Sequence, residues 1–317
     1  MSWEPASSSG DVPWIGADRL RDSVAMIDAV DAVEEAFRDP GVGARDPLRT
    51  TVDVDHGQVL LMPSAAVDLV GVKLVSVTPD NSDRGLPTIQ GLYVLLDAAT
   101  LSPVAVMDAV ALTSLRTPAA SAVTIRHAAT ADASHLVVFG TGPQARGHIE
   151  AMAAVRPLRT VGVVGRRREP VEDLLAVVEA AGFDGYAAVP EDIADADVVC
   201  LCTTAGDPVI DGSRLRPWAH VVAVGSHQPA RREVDTETVR RSAVIVETRA
   251  VALAEAGDLL IPIAEGAFHE SGIVADLHQL VTGGGPDPHR LTLYKSVGLA
   301  VEDLAVARLV HLRTTTG

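Results

Sequence analysis

The sequence predicts an α/β protein in which a largely antiparallel sheet precedes a doubly wound parallel one. Three observations carry this reading. Residues 50–108 hold short apolar or alternating segments separated by turn residues. From about residue 134, continuously apolar strands alternate with helical stretches. A glycine motif, Gly140-x-Gly142-x-x-Ala145, joins the first of those strands to the helix that follows it.

Taken in order, residues 1–15 read as a loose tail, and "DSVAMIDAVDAVEEAFRD" (22–39) has helical apolar spacing. "TTVDVD", "QVLLMPS", "GVKLVSVTP" and "GLYVLLDAATLSPVAVMD" read as strands of one largely antiparallel sheet. "ALTSLRTPAASAVTIRHAA" (111–129) reads as a helix, with Thr117 as N-cap and Pro118 in the first turn. Next come the strand "HLVVFG", a turn and helix over "TGPQARGHIEAMAAV", the strand "TVGVVG" and the helix "EPVEDLLAVVEAAG". "DVVCLCT", "HVVAVG" and "AVIVE" are further strands. "LTLYKSVGLAVEDLAVARLV" is expected to be a helix returning to the first sheet.

The chain has 317 residues, 47% of them hydrophobic, which is enough for two domains with a substantial core. A net charge of −16 argues against a general nucleic-acid or anionic-membrane binder, though not against a local basic pocket. No apolar run is long enough for a membrane span. "MSWEPASSSGDVPW" lacks the basic and apolar regions of a secretory signal, so a soluble cytoplasmic protein is expected. Cys200 and Cys202 read as small core residues of a strand in a reducing compartment. The ten histidines form no HxH or HxxxH pair and there is no GxSxG elbow, so neither a metal site nor a nucleophilic hydrolase is indicated.

The motif predicts a dinucleotide. Gly140 and Gly142 permit a tight turn and close approach of the backbone to a pyrophosphate, with Thr141, Pro143, Gln144 and Ala145 completing the turn at a helix N-terminus. An NAD site usually ends the second strand with a carboxylate for the ribose. Here that position is Gly165, followed by Arg166, Arg167 and Arg168. Arginines there would receive a 2′-phosphate, so NADP(H) is favoured over NAD(H). At least one of the three reads simply as part of an exposed helix start.

Two lysines, Lys73 in "GVKLVSVTPDN" and Lys295 in "LYKSVGLA", stand in a chain whose other basic residues are all arginine. With "GLPTIQGLYVLLDAATLSPVAVMDAVALTSLRTPAASA", "VVFGTGPQARGH" and "AEAGDLLIP", these stretches resemble the ornithine cyclodeaminase/mu-crystallin family over nearly the whole chain. The resemblance implies a Rossmann-type NAD(P)-binding domain (118–293) plus a discontinuous α+β substrate-binding and dimerisation domain (1–117 and 294–317), in a homodimer. It implies that Arg49, Lys73 and Arg116 hold a substrate carboxylate, and that Thr117, Thr203, Val297 and Gly298 join the cofactor site. It leaves Lys295 as a structural ion pair, with Glu302 or Asp303 as the expected partner.

Arginine offers bidentate geometry, and a partly desolvated lysine flanked by arginines can exchange a proton near neutral pH. Cyclodeaminases of the family carry an aspartate after a strand-end glycine where this chain has His227. With the absent ribose carboxylate, this favours NADPH-dependent reduction of a cyclic ketimine carboxylate, Δ1-pyrroline-2-carboxylate or Δ1-piperideine-2-carboxylate. Lys73 or His227, or a water held by either, is the expected proton donor. An ornithine cyclodeaminase, an alanine-type dehydrogenase and a non-enzymatic NADPH-dependent small-ligand binder remain open alternatives.

Overall fold

A computed structural model describes residues 12–42 and 46–315. Its first part contains β1 (Trp14–Ile15), α1 (Ala17–Ser23), α2 (Met26–Arg38), β2 (Thr50–Val54), β3 (Gly57–Ala65), β4 (Leu69–Val77), β5 (Ile89–Asp97), β6 (Pro103–Asp108) and α3 (Ala109–Ala128). These strands form a six-stranded sheet of order β1-β6-β5-β4-β3-β2, antiparallel except for β1 beside β6. Most of the tail expected over residues 1–15 lies outside the described residues, but Trp14–Ile15 belongs to the sheet because its backbone pairs with Val106 and Met107.

The second part contains β7 (His135–Phe139), α4 (Pro143–Val155), β8 (Thr160–Val164), α5 (Arg168–Ala180), β9 (Asp184–Ala187), β10 (Val198–Leu201), β11 (His220–Ala223), α6 (Thr236–Arg241), β12 (Ala243–Val246), α7 (Arg249–Glu255), α8 (Gly257–Ala264), β13 (Ile273–Asp276), α9 (Leu277–Gln279), β14 (Thr292–Lys295) and α10 (Ala300–Thr315). The strands form an all-parallel sheet of order β13-β12-β14-β11-β10-β7-β8-β9. This is the α/β, doubly wound arrangement expected, and its inner strands β12, β14, β11, β10 and β7 are buried as their apolar runs require. No helix among the described residues is long and apolar enough to cross a membrane.

Three sequence expectations change. The predicted helix over 22–39 is broken, because Val24 and Ala25 are extended and Val24 turns into the core. Pro118 lies inside α3 rather than in its first turn. Asp108 is the true N-cap, accepting from Ala111 N at 2.8 Å. The helix tolerates Pro118 where α4 crosses it closely: a Cβ on Gly147 would lie 2.6 Å from Pro118 Cγ. Finally, residues 291–310 are not one helix. Thr292–Lys295 is β14, inserted between β11 and β12, and only α10 returns to the first sheet. The four residues of β14 are all buried, so no period told strand from helix.

Candidate active site

Alternation along the antiparallel sheet sends Lys73 inward. Met62, Lys73, Tyr93 and Met107 are successive neighbours across β3, β4, β5 and β6. All four are buried, and Lys73 is only 3% exposed. The face they share packs under α3 and α10. From α10, Asp303 Oδ2 meets Lys73 Nζ at 2.7 Å. Burial lowers the lysine to about 8, helped by Arg116 and Arg49 and opposed by Asp303. It therefore titrates close to neutrality.

Arg116 reaches the same carboxylate from α3. Its Nε donates to Asp303 Oδ1 at 3.2 Å and its Nη1 to Glu302 Oε2 at 2.6 Å. Burial disfavours its charge, but Asp303, Glu302 and Glu247 hold the guanidinium above the usual arginine range. Glu302 is raised well above the carboxylate range by burial and by Glu247. Its Oε1 has no hydrogen-bond partner among the described residues.

Glu247, just past β12, organises the turn after β14. It accepts from Ser296 Oγ at 2.6 Å, Val297 N at 2.9 Å and Gly298 N at 2.8 Å. Gly298 has φ +84, and a Cβ there would lie 2.8 Å from the Arg116 nitrogens. Arg49 closes the turn from the other side, with Nη2 donating to Val297 O at 2.7 Å and Gly298 O at 2.9 Å. Arg49 also meets Glu255 at the end of α7, Nε to Oε1 at 3.1 Å and Nη2 to Oε2 at 2.8 Å. Asp46, Arg49, Met62, Glu255 and Gly298 line a small cleft beside this turn.

His227 lies beyond the end of β11. Burial lowers it to about 4, with Arg49, Lys295 and Arg231 adding to the effect. It is neutral at neutral pH. Lys295 is a structural ion pair, as expected, but not with Glu302 or Asp303. Its Nζ lies 2.8 Å from Asp258 Oδ2 and donates to Ser226 O at 2.7 Å. Arg116 and Lys73 already hold the two α10 carboxylates, and β14 turns Lys295 toward α8 and the loop that carries His227.

The nucleotide motif sits where β7 and β10 diverge, at the carboxyl ends of the parallel strands. Gly140 has φ +110, and a Cβ there would lie 2.5 Å from Cys202 O, so only glycine fits. Gly142 caps α4, with Pro143 in the first turn, and a Cβ there would meet nothing within 4 Å. That open approach to a helix N-terminus fits a pyrophosphate. Thr141 packs near Gly165 and Ala145 is fully buried. Gln144 O accepts from His148 Nδ1, 2.7 Å away, an N–H that the neutral ring can donate. Thr203 is tied to Glu233 through both its N and Oγ1, at 2.9 and 2.7 Å. Thr117 is buried on α3.

At the end of β8, a Cβ on Gly165 would lie 2.6 Å from Val171 Cγ2 and 2.9 Å from Thr141 Cγ2. The packing leaves no room for an acidic side chain there. Arg168 is exposed and pairs with Glu172 at 2.6 Å on the surface of α5. Arg166 and Arg167 are exposed, with no ion pair recorded.

The structure thus brings Lys73 and Arg116 together on Asp303, with Arg49 a turn of backbone away. Sequence reasoning named Asp303 and Glu302 for the wrong lysine and missed Glu247 and Glu255. Glu255 lies within the quoted "AEAGDLLIP" stretch, but nothing local shows that it reaches Arg49.

The description "Ornithine cyclodeaminase/mu-crystallin family" belongs to the family model that residues 17–317 match. A Δ(1)-pyrroline-2-carboxylate reductase of Bacillus cereus is 34% identical over 312 residues, covering 94% of this chain and 95% of the relative. The ketimine reductase mu-crystallin of Mus musculus is 33% identical over 306 residues, covering 95% of each. The solved structure of Thermococcus litoralis Δ(1)-pyrroline-2-carboxylate reductase with NADH and L-proline is 32% identical. It covers 96% of this chain and 98% of its own, with a TM-score of 0.91.

Proposed function

This chain belongs to the ornithine cyclodeaminase/mu-crystallin family, and we propose that it is an oxidoreductase reducing a cyclic ketimine carboxylate to a cyclic amino acid. Δ1-pyrroline-2-carboxylate and Δ1-piperideine-2-carboxylate are the substrates to which we assign it. The observation that carries the reading is the buried meeting of Lys73 and Arg116 on Asp303, close to Arg49 and to the turn at Val297 and Gly298. The cofactor is a nicotinamide dinucleotide. The fit of the Gly140–Gly142 turn to a pyrophosphate supports that class, and NADP(H) is our proposal within it, supported by Arg166, Arg167 and the closed Gly165 position.

When bound, the nicotinamide supplies a hydride to the imine carbon. The chain does the rest. Arg49 and Arg116 offer guanidinium edges to the substrate carboxylate, fixing the ring over the turn at Val297–Gly298. Lys73, charged below about pH 8, gives one proton to the imine nitrogen and regains it from solvent. The C=N bond thereby becomes CH–NH, with one hydride and one proton consumed. His227, neutral near neutral pH and within the electrostatic reach of Arg49, is a neighbour of the site rather than the acid. A neutral imidazole also lacks the fixed negative charge that suits a cyclodeaminase.

We assign residues 118–293 to cofactor binding, with Tyr294 and Lys295 completing β14 of that sheet, and residues 1–117 with the rest of 294–317 to substrate binding and self-association. A homodimer is supported by the outer face of the antiparallel sheet, where Val52, Leu74 and Leu92 are exposed. The test is loss of NADPH or NADH absorbance with each cyclic imine, beside a tube of ornithine and NAD+ assayed for ammonia. NADPH loss dependent on an imine is expected. Ammonia and proline without net cofactor change would instead identify a cyclodeaminase.

A further inference from the structure

We propose that Asp303 is a positioning residue for the reduction: its buried carboxylate sets Lys73 and Arg116 at a fixed separation and keeps the lysine charged for proton delivery. The inference rests on the reductase reading above. It extends that reading to a residue on a helix 230 positions along the chain from Lys73.

Asp303 is fully buried on α10. Its two oxygens are divided, Oδ2 to Lys73 at 2.7 Å and Oδ1 to Arg116 at 3.2 Å. One carboxylate therefore ties β4 to α3. A fork shared in this way fixes the distance between the ammonium and the guanidinium more tightly than either flexible side chain could alone. The ammonium has three hydrogens, and Asp303 is the one acceptor recorded for it among the described residues. Two donors remain for a ligand. A buried ammonium left so incompletely bonded is poor for stability, which points to a functional reason for it.

The charges around Lys73 also need Asp303. Arg116 faces it from α3 and Arg49 from the segment before β2, and both oppose its charge. Tyr93, its neighbour on β5, is held protonated by burial and by Asp303 and Asp46. Glu302, on the far side of Arg116, pairs with that guanidinium rather than with the lysine. Asp303 is the anion in contact with the lysine. Without it, burial and two guanidiniums would drive the proton off before it could be given to substrate.

The two-lysine composition makes the test direct. Isotope-labelled lysine gives two side-chain nitrogen resonances, and Lys295→Arg identifies the one from Lys73. In Asp303→Asn the Lys73 titration midpoint should fall by about one unit or more. The alkaline limb of kcat/KM for the imine should move with it, while KM for NADPH changes by less than roughly threefold. A midpoint and limb that stay in place overturn the proposal. If Asp303→Asn does not fold, Asp303→Glu retains the charge and displaces it by one methylene. The midpoint should then persist while kcat/KM falls about tenfold or more; unchanged kcat/KM overturns the positioning role. If the wild-type protein reduces no imine yet the midpoint shifts in Asp303→Asn, the reductase reading fails and the hold of Asp303 on Lys73 stands.

Discussion

Arg49 and Glu255 form an ion pair, with Nε donating to Oε1 at 3.1 Å and Nη2 lying 2.8 Å from Oε2. The same Nε–H can receive any carboxylate. Glu255 therefore stands where a substrate carboxylate on Arg49 would stand. The two must exchange, and a displaced Glu255 remains in surroundings that raise its affinity for a proton, by burial and by Glu247. Glu255→Gln should lower KM for the imine by roughly fivefold, corresponding to loss of about 1 kcal/mol of internal competition. Steady-state kinetics check this, and an unchanged or higher KM shows that the pair is structural.

The two glycines of the nucleotide turn should behave oppositely. Gly140→Ala forces a Cβ to within 2.5 Å of Cys202 O at φ +110, and should cost about 1–3 kcal/mol of stability. Gly142→Ala places its Cβ in open space. Its Tm should hardly move, while cofactor Kd rises about tenfold or more because the backbone can no longer be approached closely. Thermal melts and cofactor titration of both variants distinguish a turn built for a ligand from one built only to fold.

Arg166→Ala and Arg167→Ala should each raise KM for NADPH roughly tenfold, the loss of a charge-assisted contact with a 2′-phosphate, and leave KM for NADH in place. Arg168→Ala should change neither, since Arg168 is an exposed partner of Glu172. Equal effects on both cofactors would contradict the NADP preference.

Three histidines make the fold acid-sensitive. Burial lowers His148 to about 4, His220 to about 3 and His227 to about 4, from an ordinary value of 6.5. The unfolded chain binds protons in this range that the folded chain refuses. Their contribution to stability is therefore complete above the unfolded value and is lost as pH falls through 6.5 toward 4, by up to about 1.4 kcal/mol per unit for each proton. Tm should drop steeply across that window. His148→Gln with His220→Gln should start from a lower Tm near neutrality and show a shallower fall, because His220 bridges Thr124 and Thr292 at 3.0 and 2.7 Å in the native chain.

The local code was strong where period and chemistry agreed. Alternation in "GVKLVSV" identifies a strand, and the spacing around Gly140 identifies a nucleotide turn. Both depend on properties of neighbouring residues. A strand alternates its faces, and a glycine either is or is not present where the backbone must pass close to Cys202.

What the sequence determined by itself was the class of each sheet, the site of the turn and the set of cations. Their partners were settled by the tertiary structure alone. Whether Lys73 faces solvent or core depends on which side of the sheet α3 and α10 cover. That Asp303 serves Lys73 and Arg116, while Lys295 turns to Asp258, depends on contacts across 230 and 187 residues in the first case. Four buried residues at 292–295 carry no period of their own, so only the gap between β11 and β12 decides that they form a strand. Buried charges are satisfied by whichever opposite charge the packing delivers, and packing is a property of the whole chain.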